Sequence, residues 1–255
     1  AVSSVSVAKY YDTYAQYAYD QDFNLPNAPT TPSLTGVEMD GKISLDWGAN
    51  HDAVMSTEQT VSEGFEFEGY NVYQLPSSGA PLTEGIKVAT FDKVNLVQNI
   101  LDPDVDASTG LVVDVVKQTG SDAGVQRFYE TDYDEYRGRP MSNGMTYHFA
   151  VTAYSYLADN EGSPFKTLES SEARVSVTPH STNPGVVVHH ENGSDVVVTH
   201  TGTANASISV DIVNSNSLID ETYEVHFDQQ VFWRDASGAW VTTDPAGGLA
   251  KTSDV

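Results

Sequence analysis

Apolar and polar residues alternate along several short segments in the first two thirds of the chain. Ile43 to Trp47 alternate directly after the turn signal Asp40-Gly41. Tyr147 to Ala153 alternate in the same way after Asn143-Gly144. Shorter segments of the same kind are 67–74, 86–91 and 173–177. Because successive side chains of a strand point to opposite faces, this pattern predicts half-buried strands, and the turns between them predict an antiparallel sandwich.

The residues from 182 to 255 predict a second β-domain. Its candidate strands are 186–190, 196–200, 208–213, 223–227, 231–234 and 239–242. Asn192-Gly193 and Ser237-Gly238 predict the turns of two hairpins. The final residues, Ala250 to Val255, carry no recognisable closing strand. We therefore expect this second β-sandwich domain to be incomplete at its end.

Residues 1 to 27 form a leader that is rich in tyrosine. Tyr10, Tyr14 and Tyr17 stand at helical spacing, which is compatible with a short helix. The alternative, which we favour, is an extended linker whose tyrosines cover a neighbouring sheet. Three prolines between residues 26 and 32 exclude a helix there and predict an extended segment. The predicted organisation is thus a leader (1–27), an enlarged sandwich (28–181) and a second β-domain (182–255).

The charge balance of the chain narrows the list of partners. Thirty-six acidic residues against twelve basic ones give a net charge of −24. Like charges repel nucleic acids and anionic membranes, so we expect neither as a partner. No apolar run approaches the roughly 18 residues that span a bilayer, so we expect no membrane insertion. Adaptation to high salt, binding of divalent cations and an ordinary acidic surface all remain open as reasons for the acidity.

Three segments resemble fibronectin type III domains. They are residues 40–47 with Leu-x-Trp, residues 67–73 with Gly-Tyr-x-Val-Tyr, and residues 143–154. The resemblance covers about residues 29 to 180 and implies a fibronectin type III/immunoglobulin-like β-sandwich. It also implies that Tyr147 is the corner tyrosine, whose hydroxyl bonds back to the loop before it. A usual domain of this kind has about 100 residues, so this one carries a long insertion at about 92–140.

Similar enlarged domains occur in large secreted proteins of Bacteroidetes-like bacteria. The resemblance extends to Gly124 to Tyr129 and to Val151 to Tyr156. It implies an extracellular location at the cell surface and a place within a longer protein. It implies no particular ligand, because this fold carries many different functions.

The best candidate for a metal site is the segment Asp102 to Asp106, followed by Asp114. Carboxylates at alternate positions match the first half of a calcium loop, because hard cations need several converging oxygen ligands. Ala107 stands where such a loop uses glycine, and Val113 stands where it uses glutamate. Two hypotheses stay open: a solvated acidic loop, or a calcium site. The ligands of that site would be Asp102, Asp104, Asp106 and Asp114, and calcium would be the only cofactor.

Aromatic residues supply the candidates for ligand contact. Tyr129, Tyr133 and Tyr136 alternate with acids in the insertion, and tyrosine offers a large rigid contact area with a polar tip. They could equally pack the insertion onto the sandwich. Trp233 and Trp240 flank the predicted hairpin of the second domain and could form a platform for a sugar. Their ordinary role would be cross-strand packing.

The sequence contains none of the common catalytic motifs for serine hydrolases, zinc peptidases or P-loop nucleotide hydrolases. It also contains no cysteine, which excludes disulfides, thiolate catalysis and zinc–thiolate sites. We therefore expect no enzyme. We expect a structural and interaction segment of an extracellular bacterial surface protein or filament, acting in module spacing, adhesion or assembly. Its partners would be copies of itself or neighbouring modules of the same long chain.

The alternative function is that of a carbohydrate- or protein-binding accessory module attached to a secreted enzyme. A polysaccharide would then be the partner. Loss of glycan binding on substitution of Trp233 or Trp240 would favour this alternative.

Overall fold

The computed structural model confirms an all-β fold, with 37% strand and 14% helix. Compactness divides the chain into two units, residues 1–216 and residues 217–255. No helix in the described part of the chain combines the length and the hydrophobicity required to cross a membrane. The structure describes residues 2–106, 108–158, 162–181, 194–201, 210, 212, 218–219, 221–223, 230–234, 240–241 and 250–253.

The first unit contains two α-helices, one short 3-10 helix (Leu82–Glu84) and thirteen strands in its described residues. In chain order the α-helices and strands are α1 (Val2–Asp20), β1 (Thr35–Glu38), β2 (Ile43–Asp46), α2 (His51–Glu58), β3 (Val61–Ser62), β4 (Phe65–Leu75), β5 (Ile86–Asp92), β6 (Asn99–Val105), β7 (Val112–Thr119), β8 (Phe128–Thr131), β9 (Tyr133–Asp134), β10 (Arg139–Pro140), β11 (Tyr147–Tyr156), β12 (Thr167–Glu169) and β13 (Ala173–Val177).

Two antiparallel sheets form the main body of this unit. The smaller sheet has the order β1-β2-β8. In the larger sheet, β4 and β11 lie at the centre, with Val72 opposite Val151. β3 and β5 flank β4, while β12 and β13 flank β11. Two further strand pairs, the long hairpin β6-β7 and the short pair β9-β10, form separate two-stranded sheets.

The hydrophobic core contains residues from both sheets. Ile43, Leu45 and Trp47 are buried, as the alternation predicted, and the ring of Trp47 lies 5.7 Å from that of Tyr70. The core members contributed by β4 and β11 include Phe67, Tyr70, Val72, Tyr147, Phe149, Val151 and Ala153. The two sheets thus bury their inner faces against one another, which is the packing of a sandwich.

Tyr147 makes the hydrogen bond that the resemblance implied. It begins β11 and is buried, and its hydroxyl oxygen accepts a hydrogen bond of 2.9 Å from the backbone N–H of Ser142. The hydroxyl therefore fixes the loop that leads into the central strand.

Helix α1 (Val2–Asp20) occupies most of the predicted leader, so our preference for an extended linker is wrong. The helical spacing of its tyrosines is what decides the structure, because it brings three rings to one face. Tyr14 stacks on Phe165 at 6.0 Å, and Tyr17 contacts the same ring edge-on at 5.8 Å. The hydroxyl groups of Tyr10 and Tyr14 are hydrogen-bonded at 2.9 Å.

The predicted insertion, residues 92–140, is only partly an insertion. It includes β8, which pairs with β2 as a regular strand of the smaller sheet. The extra structure is the hairpin of β6 and β7, together with the short pair β9-β10.

The described part of the second unit forms a three-stranded sheet. Its strands are β14 (Gln230–Arg234), β15 (Trp240–Val241) and β16 (Ala250–Ser253). β14 pairs with β15 in antiparallel fashion, as predicted. The predicted turns Ser237-Gly238 and Asn192-Gly193 lie outside the described residues. β16 also pairs with β14, so the expectation that the final segment holds no strand is wrong for residues 250–253. This strand, Ala-Lys-Thr-Ser, has no apolar alternation and is formed by pairing with its neighbour.

Most of the strands predicted between residues 186 and 227 are either outside the described residues or not formed. Residues 186–190 and 224–227 lie outside the described residues, as does most of 208–213. Residues 196–200 are described and form no regular strand, although the N–H of Val196 donates to the carbonyl of Val210 at 2.9 Å. The domain boundary near residue 182 stays a prediction.

Candidate interaction surface

The hairpin of β6 and β7 carries exposed aliphatic residues on a described sheet. Leu101 and Val116 lie directly opposite one another and are 45% and 51% exposed. Leu111 and Val113 are also exposed, but strand alternation places them on the opposite face of the hairpin. We call the pair Leu101 and Val116 the hairpin surface. Within the described residues, neither strand pairs with a third one, so both leave backbone groups available along an edge.

Three parts of the first unit hold this hairpin in place. From helix α1, the hydroxyl of Tyr10 donates to the carbonyl of Pro103 at 3.0 Å. Before β12, the backbone N–H of Lys166 donates to the carboxylate of Asp102 at 2.7 Å. From β5, the ammonium of Lys87 donates to the side-chain oxygen of Gln118 at 3.0 Å. The hairpin is therefore anchored to the sandwich while its aliphatic residues remain exposed.

Asp102 and Asp104, two of the predicted calcium ligands, lie within strand β6. Asp102 is buried, and burial raises the pKa of its carboxyl group although backbone hydrogen bonds oppose that change. Asp104 pairs with the ammonium of Lys117, which lowers the pKa of its carboxyl group. Both carboxylates thus have donors from the protein itself.

Asp106 and Asp114 stand further along the same hairpin. Asp106 accepts hydrogen bonds from the side chains of Thr109 and Ser108, which lower its pKa to about 2. Asp114 is exposed and lies opposite Pro103. Among the described residues, no three potential ligands converge on one point. Calcium binding by these aspartates stays a prediction, and it carries no part of the function proposed below.

The three tyrosines of the insertion occupy different environments. Tyr129 packs against the core, with its ring 6.4 Å from that of Phe91, and burial raises the pKa of its hydroxyl. The hydroxyl of Tyr136 donates to the carbonyl of Glu84 at 2.5 Å and lies 3.3 Å from the carbonyl of Gln74. Tyr133 and the ring of Tyr136 remain partly exposed. Only these two could take part in a contact surface.

The loop that carries Tyr133 and Tyr136 is fixed by the buried carboxylate of Asp134. Burial alone would raise the pKa of this group, but hydrogen bonds from Arg137 and Gln74 outweigh it and lower the pKa. The guanidinium of Arg137 lies 2.8 Å from the carboxylate, and the amide of Gln74 donates to it at 2.9 Å. The loop therefore has a defined conformation next to β4.

Trp233 and Trp240, the predicted sugar platform, lie in β14 and β15. Trp240 is opposite Arg234 in the pairing, and Trp233 is opposite Val241. The side chains of both tryptophans lie outside the described part of the chain. Sugar binding by this hairpin stays a prediction.

Sequence reasoning missed a group of polar residues on the outer face of the larger sheet. Asn71 and Thr152 are fully buried there, and Lys87 and Glu169 make hydrogen bonds to this group. Asn71 stands between two core residues, Tyr70 and Val72, and therefore points away from the core. The sequence gives no sign of its burial, because distant segments cover that face.

Comparison with known proteins adds no assignment. Neither a scan against protein-family models nor a search of curated proteins found a match for this chain.

Proposed function

We propose that this chain is a non-catalytic structural and interaction segment of an extracellular bacterial surface protein or filament, and that its first unit is a fibronectin type III-like sandwich. The hydrogen bond of Tyr147 and the core formed by two antiparallel sheets support the second part of this proposal. A rigid sandwich suits module spacing, adhesion and assembly.

The observation that carries the interaction role is the hairpin surface. The hairpin combines exposed aliphatic side chains with two strand edges that no described strand pairs with. Unpaired strand edges are templates for pairing with another strand, while apolar side chains add affinity through burial. Both features suit a β-rich protein partner better than a polysaccharide, which is commonly bound on aromatic side chains.

The partner that we propose is a second copy of this chain or a neighbouring module of the same kind. Each copy carries the same open hairpin, so two copies can pair edge to edge. The net charge of −24 opposes such an approach at low salt. At molar salt the screening length falls to about 3 Å, so the repulsion is largely removed. Association should therefore increase with ionic strength.

The test is the molar mass of the full chain by light scattering, at low and at molar salt. The double variant Leu101→Thr/Val116→Thr removes the aliphatic pair with residues that strands accept and adds no charge. Val61→Thr is the matched control, because Val61 is an exposed valine on β3, away from the hairpin. The proposal predicts association of the wild type and of the control at molar salt, and its loss in the double variant.

A monomer at every salt concentration would contradict self-association. Binding on a broad glycan array that Trp233→Ala or Trp240→Ala abolishes would favour the accessory-module alternative instead.

A further inference from the structure

A lysine, an asparagine and a glutamate from three strands meet on the outer face of the larger sheet. The side-chain nitrogen of Lys87 on β5 lies 3.3 Å from Oδ1 of Asn71 on β4. The amide nitrogen of Asn71 donates at 3.1 Å to Oε1 of Glu169 on β12. Asn71 has 0% of its surface exposed, so this carboxamide is held away from solvent.

We propose that this is a modification site, where Lys87 and Asn71 join in an intramolecular isopeptide bond and Glu169 moves the proton. The bond would link two neighbouring strands of the sandwich covalently. The proposal does not depend on the hairpin surface binding a partner.

The reaction is a balanced exchange of one amine for another. The neutral amine of Lys87 attacks Cγ of Asn71, and the new bond joins Nζ to Cγ. The bond from Cγ to Nδ2 then breaks. One proton passes from Nζ to the departing nitrogen, which leaves as ammonia. No oxidant, metal or nucleotide is needed, because the carboxamide already carries its leaving group.

Each partner of the reaction has a neighbour suited to its role. Nζ lies 3.3 Å from Oδ1 of Asn71, the oxygen bonded to the carbon that it would attack, so the two groups are already adjacent. The negative charge of the intermediate would develop on Oδ1 of Asn71, which already accepts a hydrogen bond of 3.1 Å from the hydroxyl of Thr90. Glu169 contacts the nitrogen that must leave, which is the position required of a proton carrier.

The surroundings also prepare the two titratable groups. Part of the Lys87 side chain remains exposed, and its partial burial lowers its pKa, which favours the neutral amine. The nearby charge of Glu169 acts in the opposite direction. The hydroxyl groups of Tyr73 and Thr152 both donate to Oε1 of Glu169 and hold that carboxylate in place. The glutamate is thus oriented by neighbours that do not themselves react.

Gln118 is the competing carboxamide, because its Oε1 accepts a hydrogen bond of 3.0 Å from the same lysine. No described carboxylate is bonded to its amide nitrogen, which is buried without a hydrogen-bond partner within the described residues. The leaving group of Gln118 therefore lacks a proton carrier. This difference favours Asn71 as the partner of Lys87.

The test is the intact mass of the purified full chain, followed by peptide mapping with tandem mass spectrometry. The wild type should be lighter than its sequence by one ammonia, and mapping should find the peptides of Asn71 and Lys87 joined. Lys87→Arg and Glu169→Gln should each restore the full mass while circular dichroism shows a folded chain. Lys93→Arg, a lysine outside this network, should keep the mass loss.

Three results would overturn the proposal. A wild type with the full sequence mass contains no such bond. A mass loss that survives Lys87→Arg arises elsewhere, for example from cyclisation of another asparagine. The proposal would also be wrong if the joined peptides contained Gln118 in place of Asn71 and Gln118→Ala abolished the mass loss. Gln118 would then be the partner of Lys87.

Discussion

Removing one hydroxyl group at the start of β11 tests whether the corner tyrosine holds the sandwich together. Tyr147 is 3% exposed, and its ring packs in the core whether or not the hydroxyl is present. Tyr147→Phe therefore removes only the hydrogen bond of 2.9 Å from the N–H of Ser142. Such a bond contributes about 0.5–1.5 kcal/mol, and an unsatisfied buried donor costs about 1–3 kcal/mol. Because Ser142 is itself exposed, water can replace the lost acceptor.

We therefore expect Tyr147→Phe to lower the free energy of unfolding by about 1 kcal/mol, which corresponds to the lost hydrogen bond without a buried unsatisfied donor. In a unit of this size that corresponds to a Tm lower by roughly 2–4 °C. Thermal unfolding followed by circular dichroism, with urea unfolding as a second measure, resolves this difference. Tyr19→Phe is the matched control, since Tyr19 is exposed on α1 and should change stability by less than about 0.5 kcal/mol. Equal stability of wild type and Tyr147→Phe would refute the reasoning.

Three further perturbations have expected outcomes. Burial raises the pKa of the Glu68 carboxyl group above its ordinary value of 4.5. Its protonated form therefore stabilises the folded chain below pH 4.5, and this stabilisation is lost as the pH rises through the raised pKa. Glu68→Gln should therefore raise Tm at neutral pH and not at acidic pH; a Tm gain that is independent of pH would contradict this. Gly69→Ala places a Cβ 2.6 Å from Cβ of Asp92 and should cost about 1–3 kcal/mol in urea unfolding, whereas Gly79→Ala, which meets nothing within 4 Å, should be tolerated. Because the net charge is −24, Tm should rise between low and molar sodium chloride, and a falling Tm would show that repulsion does not limit stability.

The parts of the fold that follow local patterns could be predicted from the sequence. The segment around Ile43 and Leu45 alternates, and the structure buries both residues completely. Tyr147 could be placed for the same reason, because its motif combines a turn with an alternating strand. The helical spacing of the leader tyrosines was equally visible. Whether this spacing forms a helix depended on Phe165, a residue far away in the sequence on which the rings of Tyr14 and Tyr17 pack.

The candidate sites depended on contacts between distant segments and could not be predicted. The Asp102 carboxylate resembles a cation ligand in the sequence, whereas in the structure it accepts a backbone N–H from Lys166, 64 residues away. Asn71 meets Lys87 across 16 residues and Glu169 across 98. Alternation identifies the face on which such residues lie, but it does not show which segment covers that face.

Hydrogen exchange of the backbone amides of β6 and β7 tests the central claim most directly. The full chain should be compared at low salt, where we expect monomers, and at molar salt, where we expect association through the hairpin surface. The interaction account predicts that amides along the open edge of residues 99–119 become protected at molar salt. It predicts no such protection in the variant Leu101→Thr/Val116→Thr. Association that leaves these amides unprotected, or that protects residues 230–241 instead, would contradict the account.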